Sequence, residues 1–267
     1  MIPIPEKTGT GNRQKQQKCD LNRRFDRWRY HLFRLWPVPQ TRLESVTMLD
    51  IVLLVHVVSG TMALSSAIWA ISSKKGKKSH RRVGRVFFWS MVGVAATAIP
   101  VTFVNPNPFL FFIALFSAYM AYAGYRRGKA SYEHKRSDNW AAVGMFISAI
   151  LMVGFGLVMI IGGNGLGWAL IAFGFLGGTF GAQDFLISQK SQSHLEKVKV
   201  HLARMLGGTI ATVTALLVQQ VSPLLDSQIS QVLMWLAPTI ILTPLIAIWS
   251  ARLSVTKKYG LFAKTTS

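Results

Sequence analysis

Seven stretches of this 267-residue chain run 17 to 23 residues without an Asp, Glu, Lys or Arg. They are approximately Ile51 to Ser73, Val86 to Val104, Phe109 to Tyr125, Trp140 to Ile161, Leu166 to Ala182, Met205 to Val221 and Val232 to Ala251. A bilayer core of about 30 Å takes roughly 20 apolar helical residues, with about 17 to 25 as the working range. Seven runs of that length, in a chain that is 51% hydrophobic, predict an all-α, polytopic transmembrane helical bundle and not a barrel. Pro100, Pro238 and Pro244 fall inside runs two and seven, where neighbouring helices satisfy the carbonyls that a proline frees.

The net charge of +20 would suggest nucleic acid in a soluble protein, but here it sits in short segments between apolar runs. Loops one, three and five and the segment after run seven hold 19 Lys and Arg, with Arg204 abutting run six set aside, and loops two, four and six hold none. Positive charge stays on the cytoplasmic side, so the alternation predicts a multi-pass protein of the cytoplasmic membrane with a cytoplasmic C-terminus. Anionic lipid headgroups at that face are the expected partners, and nucleic acid is not. The single cysteine, Cys19, leaves no disulfide framework, CxxC metal site or CxxCH haem attachment.

Residues 1 to 47 conflict with this orientation, because they carry ten Lys and Arg against four acids, yet seven spans place them outside. Export of the tail, a span count off by one, or a start at Met48 would each resolve the conflict, and the unanimous internal loops favour Met48. The expected organisation is a basic tail over 1–47, a membrane domain over 48–255 and a basic cytoplasmic tail over 256–267. Within the first tail, Phe25, Trp28, Leu32 and Leu35 share one helical face among arginines, as in an interfacial helix.

Small residues mark where helices approach closely in lipid. Run one offers Ser59, Gly60, Ala63, Ala67 and Ala70 in line with His56; run three Ser117, Ala121 and Gly124; run four Ala141, Gly144 and Ser148; run five Gly174, Gly177, Gly178 and Gly181. Ser193 and Glu196 have capping-box spacing, so a helix begins near His194 and carries His201 and Arg204 to the membrane boundary. Ser79 can cap run two in the same way, placing His80, Arg81 and Arg82 in a first turn. Helix N-termini and arginines both favour anions, so these starts suggest a lipid phosphate, haem propionate, quinone carbonyl or small phosphorylated ligand.

An ionisable group inside a span is a functional candidate by default. His56 lies near the opposite boundary from His80 and His201, so only His80 and His201 can pair across one iron. His194 and His201 are two turns apart and do not chelate one ion, His31 and His134 read as surface residues, and no metal site is expected. Asp184 is a candidate partner for Arg204 or His201. Ser-His-Asp, HExxH, GxGxxG and P-loop patterns are absent.

The segments "HVVSGTMALSSAIWAISSKKGKKSHRRVGRVFFWSM" and "HLARMLGGTIATVTALL" resemble bacterial membrane proteins grouped as domain of unknown function 2306. The likeness covers about residues 48 to 255 and implies a seven-helix bundle. It also implies a histidine in the first span, a "KG...HRRxGR" junction and a histidine-arginine pair opening a later span. The matching positions are His56, Gly76, His80, Arg81, Gly84, His201, Arg204 and Met205. It implies no particular activity.

The candidate cofactor-binding residues are thus His80, His201, Arg81, Arg204 and His56. The expected function is a redox module for b-type haem or quinone, carrying at most one haem, with electron transfer as its chemistry. A small-anion transporter and a structural or assembly protein without a ligand are the alternatives.

Overall fold

The computed structural model describes residues 44–129, 131–188, 193–221 and 227–258, which form seven α-helices and contain no strand. These are α1 (Glu44–Ser72), α2 (Lys78–Val104), α3 (Pro108–Arg127), α4 (Arg136–Ile161), α5 (Leu166–Ser188), α6 (His194–Val221) and α7 (Gln228–Lys258). Each is long and apolar enough to cross a membrane, so the chain is a multi-pass membrane protein. The interfacial face expected around Trp28 lies outside the described residues.

Helices outrun their apolar stretches. α2 starts at Lys78, ahead of the apolar run that opens at Val86, and α6 starts at His194 as its capping box predicts, well ahead of Met205. Backbone hydrogen bonding continues after hydrophobicity ends, and long cationic side chains keep their heads in water while their stems lie along the helix. α1 likewise begins at Glu44, upstream of Met48.

The uncharged turns are capped locally. Asn107 accepts the Leu110 N–H at 3.1 Å with Pro108 opening α3, and Asn164 accepts the Leu166 N–H at 3.0 Å. Gly163 (φ 78°) turns the chain between α4 and α5, a backbone conformation costly to any side chain. On the other end, Ser193 and Glu196 form the expected reciprocal pair: the Ser193 N–H donates to Glu196 Oε2 at 2.7 Å, and the Glu196 N–H to Ser193 Oγ at 3.3 Å. The cap expected at Ser79 does not form. The N-cap of α2 is Lys77, one residue past Gly76 (φ 78°), and no side chain caps it.

α3 is the hub, lying against α2, α4, α5 and α6, while α7 packs on α5 and α6. One apolar cluster joins α3, α4, α5 and α7 through Phe116, Met120, Met145, Met152, Leu170 and Trp235. A second joins α1, α2 and α3 through Ala63, Ala67, Phe87, Phe88, Met91 and Ala121. Lipid tails are as apolar as these side chains, so close packing holds the helices together, not exclusion from water.

The glycines of α5 let the backbone of α4 approach closely. A Cβ on Gly181 would sit 2.8 Å from the Ala142 carbonyl oxygen, and one on Gly174 would sit 3.1 Å from that of Ala149. Two expected contacts are absent, since Cβ atoms at Gly60 and Gly144 would meet nothing within 4 Å. α4 presents Ala142, Met145, Ser148, Ala149 and Gly156, with Ala141 packed at the edge of this face, and of the three expected positions only Gly144 lies off it.

Candidate functional site at the basic end of the bundle

The ends of α1, α3 and α5 and the starts of α2, α4 and α6 lie at one end of the bundle, where the basic connections cluster. His80, at the start of α2, and His201, two turns into α6, meet there. Their ring centroids are 6.4 Å apart with planes at 83°.

Each imidazole is held by a backbone carbonyl on another helix. His201 Nδ1 donates to the Gly124 carbonyl of α3 at 2.7 Å, and His80 Nδ1 donates to the Ala70 carbonyl of α1 at 3.1 Å, with Ser73 Oγ 3.3 Å away. A carbonyl only accepts, so each Nδ1 carries the hydrogen and each neutral ring keeps its lone pair on Nε2. Gly124 of α3 and Gly128, its C-cap, make room for this. A Cβ on Gly124 would lie 2.9 Å from the Met205 backbone nitrogen, and one on Gly128 would lie 2.5 Å from His201 Nδ1.

The other expected site residues part company with the pair. Arg81 is exposed. Arg204, one turn beyond His201, is 2% exposed and faces α5, where its Nε donates to Asp184 Oδ2 at 3.2 Å and its Nη2 to Oδ1 at 3.1 Å. Asp184 therefore partners Arg204 and not His201. His56 hydrogen-bonds Thr97 of α2 at 2.9 Å, fourteen residues before the Ala70 carbonyl that holds His80, or about 21 Å along α1 at 1.5 Å per residue. His134 is exposed, and His31 lies outside the described residues.

Asp184 anchors a second constellation that sequence reading largely missed. The Tyr119 hydroxyl of α3 donates to Asp184 Oδ2 at 2.5 Å, and Arg127 Nη2 lies 3.9 Å from Oδ1. All four groups are buried. Beside them Arg126 pairs with Asp138 of α4 at 2.7 Å, and Asp138 also accepts the Lys135 N–H at 3.0 Å. A narrow cleft lined by Tyr119, Tyr122, Arg126, Arg127, Asp138 and Asp184 separates the two ion pairs. The Tyr132 ring covers them, with Arg126, Arg127 and Lys197 charges 5.0–5.5 Å from its centre. Burial pushes the Tyr132 hydroxyl above the ordinary tyrosine range, so it stays a neutral donor at physiological pH.

One signal pointed to this cluster. Between Asp50 and the end of the chain only Glu133, Asp138, Asp184, Glu196 and Asp226 are acidic, so an acid at the end of an apolar run has few reasons to be there. Arg127, next to Arg126 in a basic loop, looked like topology alone. Its burial depends on α5 and α6 arriving beside α3.

Among the described residues no three His, Cys, Asp or Glu side chains converge on a possible metal position. Two imidazoles alone do not complete a tetrahedral or octahedral shell, whereas a tetrapyrrole supplies four equatorial donors and needs only two axial ones. Two imidazoles ligating one metal from opposite sides, with bonds of about 2.0–2.1 Å and ring radii of about 1.1 Å, have centroids about 6.3 Å apart. The 6.4 Å centroid separation of His80 and His201 matches that spacing, so these two residues could hold one haem, which would supply one-electron redox chemistry. Comparison with known protein families, curated proteins and solved structures finds no match for this chain.

Proposed function

We propose that this membrane protein binds one b-type haem through His80 and His201 and works as an electron-transfer module. The observation that carries the proposal is the 6.4 Å spacing of two imidazoles that each donate Nδ1–H to a carbonyl of a different helix. When bound, the haem supplies one-electron redox chemistry. The chain holds both rings in the tautomer that offers Nε2 and sets their separation through α1 and α3. A quinone carbonyl needs a donor, and both N–H groups are already spent on backbone oxygens, which favours haem over quinone. The engagement of Arg204 with Asp184 removes one cation that an anion transporter would use near the histidines.

The basic end faces the cytoplasm of a bacterial cell in this proposal, where anionic headgroups neutralise the loops, and the C-terminus lies on that side. Detergent-purified full-length protein is expected to show a Soret band that sharpens and shifts on dithionite reduction, with about one haem per chain. His80→Ala and His201→Ala each abolish the band while the protein still inserts, and His56→Ala retains it. Colourless protein from haem-replete cells, or a Soret band that survives both substitutions, overturns the haem assignment.

A further inference from the structure

Seven cations lie between Lys74 and Arg85, and no acid occurs between Asp50 and Glu133. One of the seven is used internally: Lys75 Nζ turns back onto the last carbonyls of α1, at 3.0 Å from Ala70 and 3.3 Å from Ser73, and also onto Ile71. Lys78, Arg82 and Arg85 are exposed and form no side-chain hydrogen bond or ion pair among the described residues.

These three follow i, i+4, i+7 spacing, so they stack on one face of α2. The same face continues through Trp89, Val92, Ala96 and Pro100, all exposed. One unpartnered helix wall thus changes along its length from three cations to an indole and then to an apolar strip. Lys78 and Arg85 are seven residues apart, or about 10.5 Å of helix, on the order of the depth of a headgroup layer. Cations are unfavourable in the first turn of a helix, where the backbone is already positive. α4 and α6 each place an acid in that turn, Asp138 and Glu196, and α2 has none.

We propose that this face of α2 binds an anionic phospholipid, with its phosphate held by Lys78, Arg82 and Arg85 and its acyl chain lying along Trp89 and Val92. Charge complementarity calls for an anion, and the apolar continuation selects a lipid. An acidic protein docking from the aqueous side would reach Lys78 but leave Arg85, Trp89 and Val92 uncovered. A free phosphate would leave the apolar strip unused. Trp89, at 64% exposure, marks the level where headgroup gives way to chain. The site rests on the bilayer assignment above and is independent of haem, so colourless protein would leave it standing.

The test uses the full chain in nanodiscs of phosphatidylcholine, with phosphatidylglycerol added as the probe and retained lipid read by native mass spectrometry. Wild-type protein is expected to retain phosphatidylglycerol in preference to phosphatidylcholine. The K78Q/R82Q/R85Q variant, whose changes lie on an exposed face, loses about tenfold to a hundredfold of that preference. Arg136→Gln removes an exposed cation at the same end of the bundle and leaves the preference intact. Preference retained in the triple variant, or lost equally in Arg136→Gln, would show bulk attraction and overturn the site. Displacement of the lipid by millimolar inorganic phosphate, or by an acidic polypeptide such as polyglutamate, would also overturn it. Circular dichroism of the triple variant confirms that any loss comes from a folded bundle.

Discussion

Replacing Asp184 with Ala is expected to destabilise the bundle by about 3–5 kcal/mol, the cost of leaving a buried charge without its partner. Arg204 is 2% exposed and Arg127 6%, and both guanidiniums face this carboxylate, as does the Tyr119 hydroxyl. Its removal leaves Arg204, at the junction of α3, α5 and α6, with only the neutral acceptors Phe180 O and Gln183 Oε1, and takes the facing carboxylate from Arg127. Unfolding in mixed micelles by titration with dodecyl sulfate, followed by circular dichroism, reads the change. Pairing Asp184→Leu with Arg204→Met restores part of the loss, because an apolar pair of similar volume needs no compensating charge. A loss below about 1 kcal/mol in the single variant would mean that water reaches the pair and screens it.

The second large effect concerns the α4–α5 crossing. Gly181→Ala is expected to cost about 1–3 kcal/mol, as for overpacking of a tight interface. The new Cβ would fall 2.8 Å from the Ala142 carbonyl oxygen and 3.1 Å from the Phe146 nitrogen. Both are backbone atoms, so no side chain can swing aside, and the helices must separate. Gly144→Ala serves as the control, because its Cβ meets nothing within 4 Å. It is expected to be neutral or to stabilise by up to about 1 kcal/mol through helix propensity. Equal stability of the two variants in the same unfolding assay would refute the close crossing as a determinant of the fold.

The two glycines also show where sequence reading stops. Spacing identified runs four and five as packing helices, and all five glycines of run five meet α4 or α3. On α4, Ala141 packs against the core and Ser148 is buried as expected, whereas Gly144 is exposed and Ala142, Met145 and Ala149 carry most of the contact. Nearly every residue of that helix is apolar or small, so lipid-facing and helix-facing sides carry almost no contrast, and periodicity has little to act on. The capping box at Ser193 was legible because its partners are three residues apart. The cap at Ser79 failed because Gly76 ended the preceding turn early enough for α2 to begin at Lys78.

The candidate site divides along the same line. Topology alone separated His56 from the other two histidines, since the number of residues along a membrane helix sets depth. That His80 and His201 come within 6.4 Å depends on α2 and α6 both packing on α3, with carbonyls of α1 and α3 fixing the rings. Arg204 was expected beside them and faces Asp184 instead. At helical spacing the three-residue step from His201 to Arg204 rotates the side chain by about 300°, enough to serve a different neighbour.

By itself the sequence determined the number of membrane helices, the alternation of basic ends with ends free of Lys and Arg, and the depth of each histidine, because these follow from local composition and the fixed rise of a helix. Only the tertiary structure decided which helices touch, which glycines are crowded, and that Arg127, Arg204 and Tyr119 converge on Asp184. In a bilayer the apolar surface of a helix says that it is buried in something but not whether that is lipid or protein. Neighbours are chosen by shape and by the few polar groups that must find one another.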